Sequence, residues 1–209
     1  MGGVFITFEG GEGSGKTTLI EALRMHFAAA GRDLLITREP GGTEVGERAR
    51  QIVLQHNSFP ISDRAELALF LASRAQHVEQ ILRPALNAGK MVLCDRFSDS
   101  SVVYQGYARG LGMREVTLAT NFFAADLIPD LTLYLDLAPE IGLRRVNRGG
   151  LDRIESEKIS FHEKVRAGFR LLAENEPQRI HTIDAGQSLD AVFLAARDAI
   201  GRLLQALNV

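Results

Sequence analysis

A glycine-rich turn lies between a strand-like apolar run and a stretch with helical spacing, and it constrains the fold more than any other feature of the chain. The run VFITFE (residues 4–9) precedes the turn, and the amphipathic stretch 18–31 follows it. The sequence between them satisfies the spacing Gly-x-x-x-x-Gly-Lys-Thr, with fixed residues at Gly10, Gly15, Lys16 and Thr17. A strand, a glycine turn and a helix in this order predict the first unit of a parallel α/β sheet.

Four further apolar runs repeat this alternation along the chain. They are residues 34–39, 91–95, 131–137 and 180–184, each of strand length and rich in Val, Ile, Leu, Phe or Thr. Amphipathic stretches separate the runs, and no two runs are joined by a two-residue hairpin turn. The pattern predicts one α/β domain over residues 1–209, a five-stranded parallel sheet with helices on both faces.

The glycine turn has the residue types that hold a nucleoside triphosphate. Its glycines let backbone N–H groups turn toward phosphate oxygens, and the following helix adds its positive N-terminal end. Lys16 is expected to reach the β- and γ-phosphates, and Thr17 is expected to ligate Mg²⁺ near Asp95, which ends the third apolar run. The predicted ATP-binding residues of this loop are Gly10, Gly11, Glu12, Gly13, Ser14, Gly15, Lys16, Thr17 and Thr18.

Composition and charge restrict the possible partners. The net charge of −2 gives no general attraction to nucleic acid or to an anionic membrane, so neither is predicted as a partner. The apolar stretches are short or interrupted by charge, and the N-terminus lacks a signal-peptide pattern, which predicts a cytoplasmic protein. The single cysteine, Cys94, lies in an apolar run and is predicted to be a buried, inert thiol.

Two arginines at the ligand edge of the sheet predict a second anionic site. Ligands of parallel α/β sheets bind beyond the C-terminal ends of the strands. Arg38 lies at the C-terminal end of the second apolar run and Arg96 follows the third, so both are expected near the glycine turn. The guanine-reading string NKxD is absent, which disfavours a GTP-dependent switch protein. These residues favour a phosphotransferase whose acceptor is itself an anion.

Five motifs in a fixed order carry a family resemblance. The strings FEGGEGSGKTT, TREPGGT, ELALFLASRAQHV, DRFSDSSVVYQG and GLDRIE together closely resemble bacterial thymidylate kinases, over essentially the whole chain. The resemblance implies a P-loop kinase fold with a short lid at about 147–158, Mg²⁺ as the cofactor and a homodimer. It also implies transfer of the γ-phosphate of ATP to dTMP, giving dTDP and ADP.

The resemblance assigns residues to the dTMP site. Phe70 would stack on thymine, and Arg74, one helical turn later, would donate to O4 of the base. The helical pattern alone predicts a core phenylalanine and a solvated arginine at these two positions. Tyr104 would pack against C2′ of the sugar and disfavour a ribose. The remaining implied contacts are Ser101 and Gln105 with the base, and Arg38 and Arg96 with the acceptor phosphate.

The lid is predicted to carry the catalytic arginine. Eukaryotic relatives place an arginine in the phosphate-binding loop, whereas this chain has Gly13 there. By the resemblance, Arg153 is predicted to be the catalytic arginine and Arg148 a second lid cation that contacts ATP. The alternative is that both arginines pair with acidic residues of the lid itself. An Arg153→Ala variant is accordingly expected to lose roughly 10³-fold in kcat.

Glu12 is an anionic residue inside a loop that binds anions, so it is expected to point away from the ATP phosphates. The resemblance implies that Glu12 accepts a hydrogen bond from the 3′-hydroxyl of dTMP, and pairing with Arg38 or Arg96 is a compatible alternative. The resemblance also implies a cis peptide bond between Glu39 and Pro40. The predicted catalytic residues are Glu12, Lys16, Arg96 and Arg153.

Two other functions stay open on the sequence. A kinase for another nucleoside monophosphate, or for a deoxynucleoside, would share the donor site but differ in the acceptor pocket. The set Phe70, Arg74, Tyr104 and Gln105 favours a pyrimidine nucleotide without a 2′-hydroxyl. A nucleotide-regulated binding or switch protein is disfavoured by the arginines on the acceptor side.

Overall fold

The computed structural model describes residues 2–56, 58–146 and 151–208, and five parallel strands form its sheet. Their order is β2-β3-β1-β4-β5, and each paired neighbour is parallel. The predicted five-stranded parallel sheet is therefore confirmed, and the strand that leads into the glycine turn lies at its centre. The strands are β1 (Val4–Glu9), β2 (Leu34–Arg38), β3 (Met91–Asp95), β4 (Leu131–Asp136) and β5 (Ile180–Asp184).

Helices connect the strands, and two π-helical segments continue helices without a break. Val78–Leu82 joins α3 to α4, and Val102–Ala108 extends α5. π-Helical turns are rare and occur often at functional sites. The second of these segments carries Tyr104 and Gln105, two of the predicted dTMP-binding residues. The helices are α1 (Lys16–Ala29), α2 (Glu44–Leu54), α3 (Asp63–His77), α4 (Arg83–Asn87), α5 (Ser98–Ser101), α6 (Met113–Phe123), α7 (Pro139–Val146), α8 (Ile159–Asn175) and α9 (Leu189–Leu207).

Hydroxyl side chains cap the N-termini of α2 and α3, the two helices that border the site. The Thr43 hydroxyl accepts from the backbone N–H of Gly46 at 3.0 Å and caps α2. Ser62 caps α3 in the same way, by accepting from the N–H of Ala65. Such caps satisfy N–H groups that lack partners within the helix. They fix where α2 and α3 begin, and so which of their residues face the sheet.

The central strand β1 is buried on both sides. Ile6 and Phe8 pack into a core with α1 and α9, whereas Phe5 packs on the opposite side with residues of β3 and of the α3–α4 region. Burial on both faces explains why the strand has no polar alternation. Cys94 of β3 lies in the second core and is fully buried, and burial raises the pKa of its thiol. The prediction of a buried thiol is confirmed.

The segment between α7 and α8 matches part of the predicted lid. Residues 151–158 form turns that precede Ile159, the first residue of α8. Residues 147–150, with the predicted lid cation Arg148, lie outside the described part of the chain. Among the described helices, none is both long and apolar enough to cross a membrane.

Candidate active site

One cavity of about 1010 Å³ opens at the C-terminal edge of the sheet. It brings the glycine turn, the ends of β2 and β3, α3 and the π-helical segment together. Three of the predicted site residues do not line this cavity: Gly10 and Gly11, at the start of the phosphate loop, and Arg153. The predicted site residues along its wall are Glu12, Gly13, Ser14, Gly15, Lys16, Thr17, Thr18, Arg38, Phe70, Arg74, Asp95, Arg96, Ser101, Tyr104 and Gln105.

The phosphate-binding loop is folded around a buried lysine. Nζ of Lys16 donates to the carbonyl oxygens of Gly10 and Gly11, each at 3.1 Å. Burial lowers the pKa of this ammonium group, and the positive charge of Arg96 lowers it further, although nearby carboxylates oppose both effects. The loop therefore holds its cation in place by backbone carbonyls.

Close packing excludes a side chain at Gly13. Its φ angle is +65°, and a Cβ atom at this position would lie 2.1 Å from the carbonyl oxygen of Gly142 in α7. Nη1 of Arg145, also in α7, donates to the carbonyl oxygen of Gly13 at 3.2 Å. The loop cannot accommodate an arginine at position 13, but α7 places the guanidinium of Arg145 directly beside the loop.

Thr17 and Asp95 meet at the base of the cavity. The hydroxyl of Thr17 donates to Oδ2 of Asp95 at 3.3 Å. Hydroxyl and carboxylate oxygens are the ligand types that Mg²⁺ takes in nucleotide-binding sites. The residues present therefore fit the predicted metal, with Thr17 following the phosphate loop and Asp95 following the neighbouring strand.

Glu12 points away from the phosphate loop toward the acceptor side. Its Oε1 accepts from Nη2 of Arg96 at 2.8 Å and from the hydroxyl of Tyr104 at 2.8 Å. Burial opposes ionisation of Glu12, but the charges of Arg96 and Lys16 bring its pKa down to about 2. The expected pairing with Arg96 is present, whereas Arg38 pairs instead with Glu47 at 3.0 Å.

Arg96 is held by a buried carboxylate that the sequence interpretation missed. Its backbone has φ +68°, a left-handed conformation that costs energy for a residue with a side chain. Glu9, at the end of β1, accepts from the backbone N–H of Phe97 at 2.8 Å and from the hydroxyl of Ser100 at 2.5 Å. Ser100 in turn accepts from Nη1 of Arg96 at 3.2 Å. Glu9 therefore fixes the turn that aims Arg96 into the cavity.

The carboxyl of Glu9 gives the protein a predicted pH dependence. Burial raises its pKa to about 7, and the charge of Asp99 adds to the effect. Between pH 4.5 and 7 the folded state keeps a proton that the unfolded state has released, so this stabilisation is lost as the pH rises through 7.

Glu9→Gln cannot ionise and is expected to gain stability relative to the wild type on going from pH 5 to pH 8.5, by about 1 kcal/mol or more. Urea unfolding at both pH values measures the gain. Glu174→Gln, at an exposed position of α8, is the control variant. A stability difference between Glu9→Gln and wild type that stays constant with pH would contradict the assignment.

Arg74 is buried, so the solvated position predicted from helical pattern alone is wrong. Its guanidinium donates to Glu39 at 2.8 Å, to the carbonyl oxygen of Phe97 at 2.9 Å and to the hydroxyl of Ser101 at 3.1 Å. Glu39 also contacts Nδ1 of His77 at 2.9 Å, and the Glu39-Pro40 peptide bond is cis, as predicted. Nη1 of Arg74 is buried without a hydrogen-bond partner in the described part of the chain.

Phe70 and Tyr104 form an apolar part of the cavity wall, next to the amide of Gln105. Phe70 is only partly buried and lies against the core built by α8 and the π-helical segment. The ring of Tyr104 packs edge-on against Phe161 and Phe169 of α8, at centroid distances of 6.1 and 6.2 Å. Phe70 therefore lies on the cavity wall rather than fully inside the core that its pattern predicts.

The structure places Arg153 away from the phosphate loop. Nε of Arg153 donates to the carbonyl oxygen of Val53 at 2.7 Å, its Nη2 donates to Glu66, and its backbone N–H donates to Leu54 at 2.9 Å. Its partner is therefore neither a transferring phosphate nor an acidic residue of the lid, but a buried carboxylate of α3. To act on a phosphate, the guanidinium of Arg153 would have to leave all of its side-chain contacts.

Sequence reasoning missed four carboxylates that are buried in the described part of the chain: Glu9, Glu39, Glu66 and Asp99. Each lies in a motif that was noticed for another residue, because a carboxylate in a single sequence does not show whether it is buried. One signal was present for Glu66, which precedes Phe70 by four residues and Arg74 by eight. That spacing places all three on one face of α3.

A phosphate-binding loop with its lysine faces Arg38 and Arg96 across a single cavity, so two phosphorylated ligands could be held with their phosphates adjacent. Together with the parallel sheet, this defines the fold as that of a P-loop kinase. Many P-loop enzymes share the fold, and the comparisons with known proteins narrow the class.

The family model described as "Thymidylate kinase" matches residues 8–195. The thymidylate kinase of Protochlamydia amoebophila is 51% identical over 203 residues, which cover 93% of this chain and 90% of that protein. That of Shouchella clausii is 44% identical, covering 97% and 96%. The crystal structure of thymidylate kinase from Ehrlichia chaffeensis superimposes with a TM-score of 0.78 at 31% identity, covering 96% of this chain and 99% of that one. The chain belongs to the thymidylate kinase family.

Proposed function

We propose that this protein transfers the γ-phosphate of ATP to dTMP, giving dTDP and ADP. The observation that carries the proposal is the cavity in which the phosphate loop faces Arg74, whose buried Nη1 has no hydrogen-bond partner among the described residues. A hydrogen-bond donor on the wall of this cavity suits the O4 atom of thymine. Membership of the thymidylate kinase family supports the same acceptor.

On the donor side, the loop N–H groups and Lys16 hold the ATP phosphates. Thr17 and Asp95 would hold Mg²⁺, which neutralises charge on the phosphates. On the acceptor side, Arg38 and Arg96 hold the dTMP phosphate. A dTMP phosphate oxygen attacks the γ-phosphorus, the bond from that phosphorus to the β-bridging oxygen breaks, and ADP leaves with the electron pair. The enzyme contributes mainly alignment and positive charge.

Glu12 links the two sides. Its carboxylate orients Arg96 and Tyr104, and it accepts from the 3′-hydroxyl of dTMP in this proposal. Tyr104, held at its hydroxyl by Glu12 and at its ring by α8, packs against C2′ and leaves no room for a ribose hydroxyl. The preference for a deoxyribose therefore depends on a tyrosine that is fixed at both ends.

Glu12→Ala is expected to raise the KM for dTMP by roughly tenfold or more, because the buried guanidinium of Arg96 and the hydroxyl of Tyr104 both lose their acceptor. The KM for ATP should change less than threefold. Initial rates with each substrate varied in turn measure both constants. Equal losses for the two substrates would contradict the role of Glu12 on the acceptor side.

The proposed reaction is tested by ADP release with a panel of acceptors: dTMP, dUMP, UMP, dCMP, AMP and thymidine. We expect dTMP to give the highest kcat/KM. A preference for another nucleotide would identify a different monophosphate kinase, and activity with thymidine would identify a nucleoside kinase. Absence of stimulation by any acceptor would favour a nucleotide-regulated binding protein.

The homodimer that the resemblance implies and the cytoplasmic location predicted from the apolar pattern and the N-terminus are part of this proposal. The helical stretches 45–55 and 64–87 are apolar enough to bury a face against a second subunit, although the same pattern also suits a core. In the structure, Val45 and Ile52 of α2 are exposed apolar residues. Light scattering of the purified protein tests the dimer, and a mass of one chain would exclude it under those conditions.

A further inference from the structure

A carboxylate of α3 lies beside the acceptor pocket and connects three segments of the chain: α3, the second π-helical segment and the turn at Arg153. Glu66 is 1% exposed. Its Oε1 accepts from Nε2 of Gln105 at 2.9 Å, and its Oε2 accepts from Nη2 of Arg109 at 3.3 Å and also from Arg153. No step of the proposed reaction uses this group, although Gln105 lines the cavity.

The chemistry of the carboxylate decides which way the Gln105 amide points. Burial disfavours ionisation of Glu66, but hydrogen bonds from Gln105 and Arg153 and the charge of Arg109 lower its pKa overall. An ionised carboxylate accepts hydrogen bonds and donates none. Gln105 must therefore turn its NH₂ group toward Glu66. The acceptor-only partner thus assigns which amide atom of Gln105 is nitrogen and which is oxygen.

This arrangement leaves the carbonyl oxygen of Gln105 for a ligand. Arg74, which lines the same cavity, offers a buried donor, Nη1, that has no partner within the described residues. The pocket thus pairs one fixed donor with one fixed acceptor. A 4-keto pyrimidine presents the matching pair, an acceptor at O4 and an N–H donor at N3. Cytosine presents the reverse pair, an NH₂ donor at C4 and an acceptor at N3.

We propose that Glu66 is a positioning residue that sets the base preference of the acceptor site, because it holds the Gln105 amide with its oxygen available to the N3–H of a 4-keto pyrimidine. The inference rests on the proposed function, since it concerns the base of the nucleotide acceptor. In this proposal Gln105 and Arg74 contact the base, and Glu66 favours thymine over cytosine because it fixes the orientation of Gln105.

Arg109 and Arg153 contribute to this orientation of Gln105, because their positive charges keep the carboxylate of Glu66 ionised. Arg109 also pairs with Glu157 at 2.6 Å, and its guanidinium lies 4.4 Å from the ring centre of Phe161. Without these cations, burial would favour a protonated carboxyl, which can donate and would allow the amide to reverse. The ion cluster therefore excludes the amide orientation that suits cytosine.

The test is Glu66→Gln, whose side chain has the same shape but can donate as well as accept. The ratio of kcat/KM for dTMP to that for dCMP is expected to fall at least tenfold, since Gln105 can then present its NH₂ group. Calorimetry with dTMP and dCMP should show the same shift in Kd ratio. The KM for ATP should stay within about twofold, because the donor side has no contact with Glu66.

Two further variants separate positioning from damage to the ion cluster. Glu66→Asp keeps the negative charge for the arginines but shortens the side chain, so the Gln105 amide is released and the dTMP:dCMP ratio should also fall. Arg109→Gln removes one of the two arginines, while Arg153 and the hydrogen bond from Gln105 remain to keep Glu66 ionised, so the ratio should stay near the wild-type value. Thermal unfolding of each variant shows that it is folded.

The outcomes distinguish the inference from the proposed function. If the wild type does not phosphorylate dTMP, the proposed function fails, and the Kd ratios still show whether Glu66 selects the base. If the wild type uses dTMP but folded Glu66→Gln and Glu66→Asp keep its dTMP:dCMP ratio, the inference is overturned. An equal fall of the ratio in Arg109→Gln would also overturn it, because disruption of the cluster alone would explain the effect.

Discussion

The Arg148→Ala variant is expected to lose about 10³-fold in kcat, whereas Arg153→Ala is expected to keep kcat within about tenfold of the wild type. The reason lies in the contacts of Arg153, whose guanidinium is held by Glu66 and by the carbonyl oxygen of Val53. A side chain that ties the turn at 151–158 to α2 and α3 is poorly placed to follow a moving phosphate. The lid sequence 147–158 contains one other arginine, Arg148, which lies outside the described residues.

Removal of a cation that stabilises the transferring phosphate costs about 4 kcal/mol in barrier for a 10³-fold loss. Arg153→Ala should instead lower the free energy of unfolding by about 1–3 kcal/mol, since Glu66 and a backbone carbonyl lose a donor. Single-turnover kinetics and urea unfolding of both variants measure these effects. The original expectation for Arg153 would be supported if Arg153→Ala lost 10³-fold in kcat while Arg148→Ala retained near-normal turnover.

Arg74→Ala is expected to have the largest effect on stability among the pocket variants. Its guanidinium is 1% exposed and forms an ion pair with Glu39, which is 4% exposed. Loss of one partner of a buried pair leaves an uncompensated charge and costs about 3–5 kcal/mol. For a chain of this size we expect Tm to fall by about 10 °C. The KM for dTMP should rise at least tenfold, because the free Nη1 donor is lost with the side chain.

Two companion variants make the stability prediction specific. Arg64→Ala removes an exposed arginine of the same helix and should change stability by less than about 0.5 kcal/mol. The double variant Arg74→Ala/Glu39→Gln removes the unpaired charge and should recover part of the lost stability. Failure of the double variant to recover any stability would show that packing around Arg74, rather than its charge, dominates the loss.

The family resemblance pointed to residues that pattern reasoning alone would have assigned differently. Helical spacing predicts a solvated arginine at position 74, but the structure buries its guanidinium against Glu39, Phe97 and Ser101. Those partners come from two segments, one after β2 and one after β3, and their approach depends on how α3 packs against the ends of these strands. No local pattern contains that information, since a polar residue on one helix turn looks the same whether its neighbours are water or another helix.

The burial of carboxylates, like that of Arg74, is not visible in a local sequence pattern. Glu9, Glu39 and Glu66 are ordinary acidic residues in the sequence, and each orients an arginine or an amide in the structure. Their roles arise from desolvation, which makes a carboxylate depend on a few partners and makes those partners depend on it.

The sequence by itself determined the parallel sheet, the phosphate loop after β1 and the arginines at the C-terminal ends of β2 and β3. It could do so because strand periodicity and loop spacing are local, and because parallel topology places every strand end on one edge. Only the tertiary structure decided that Arg153 lies on Glu66 and that Gln105 is turned by the same carboxylate. These contacts join residues 39 to 87 positions apart, so their geometry exists only after the helices have packed.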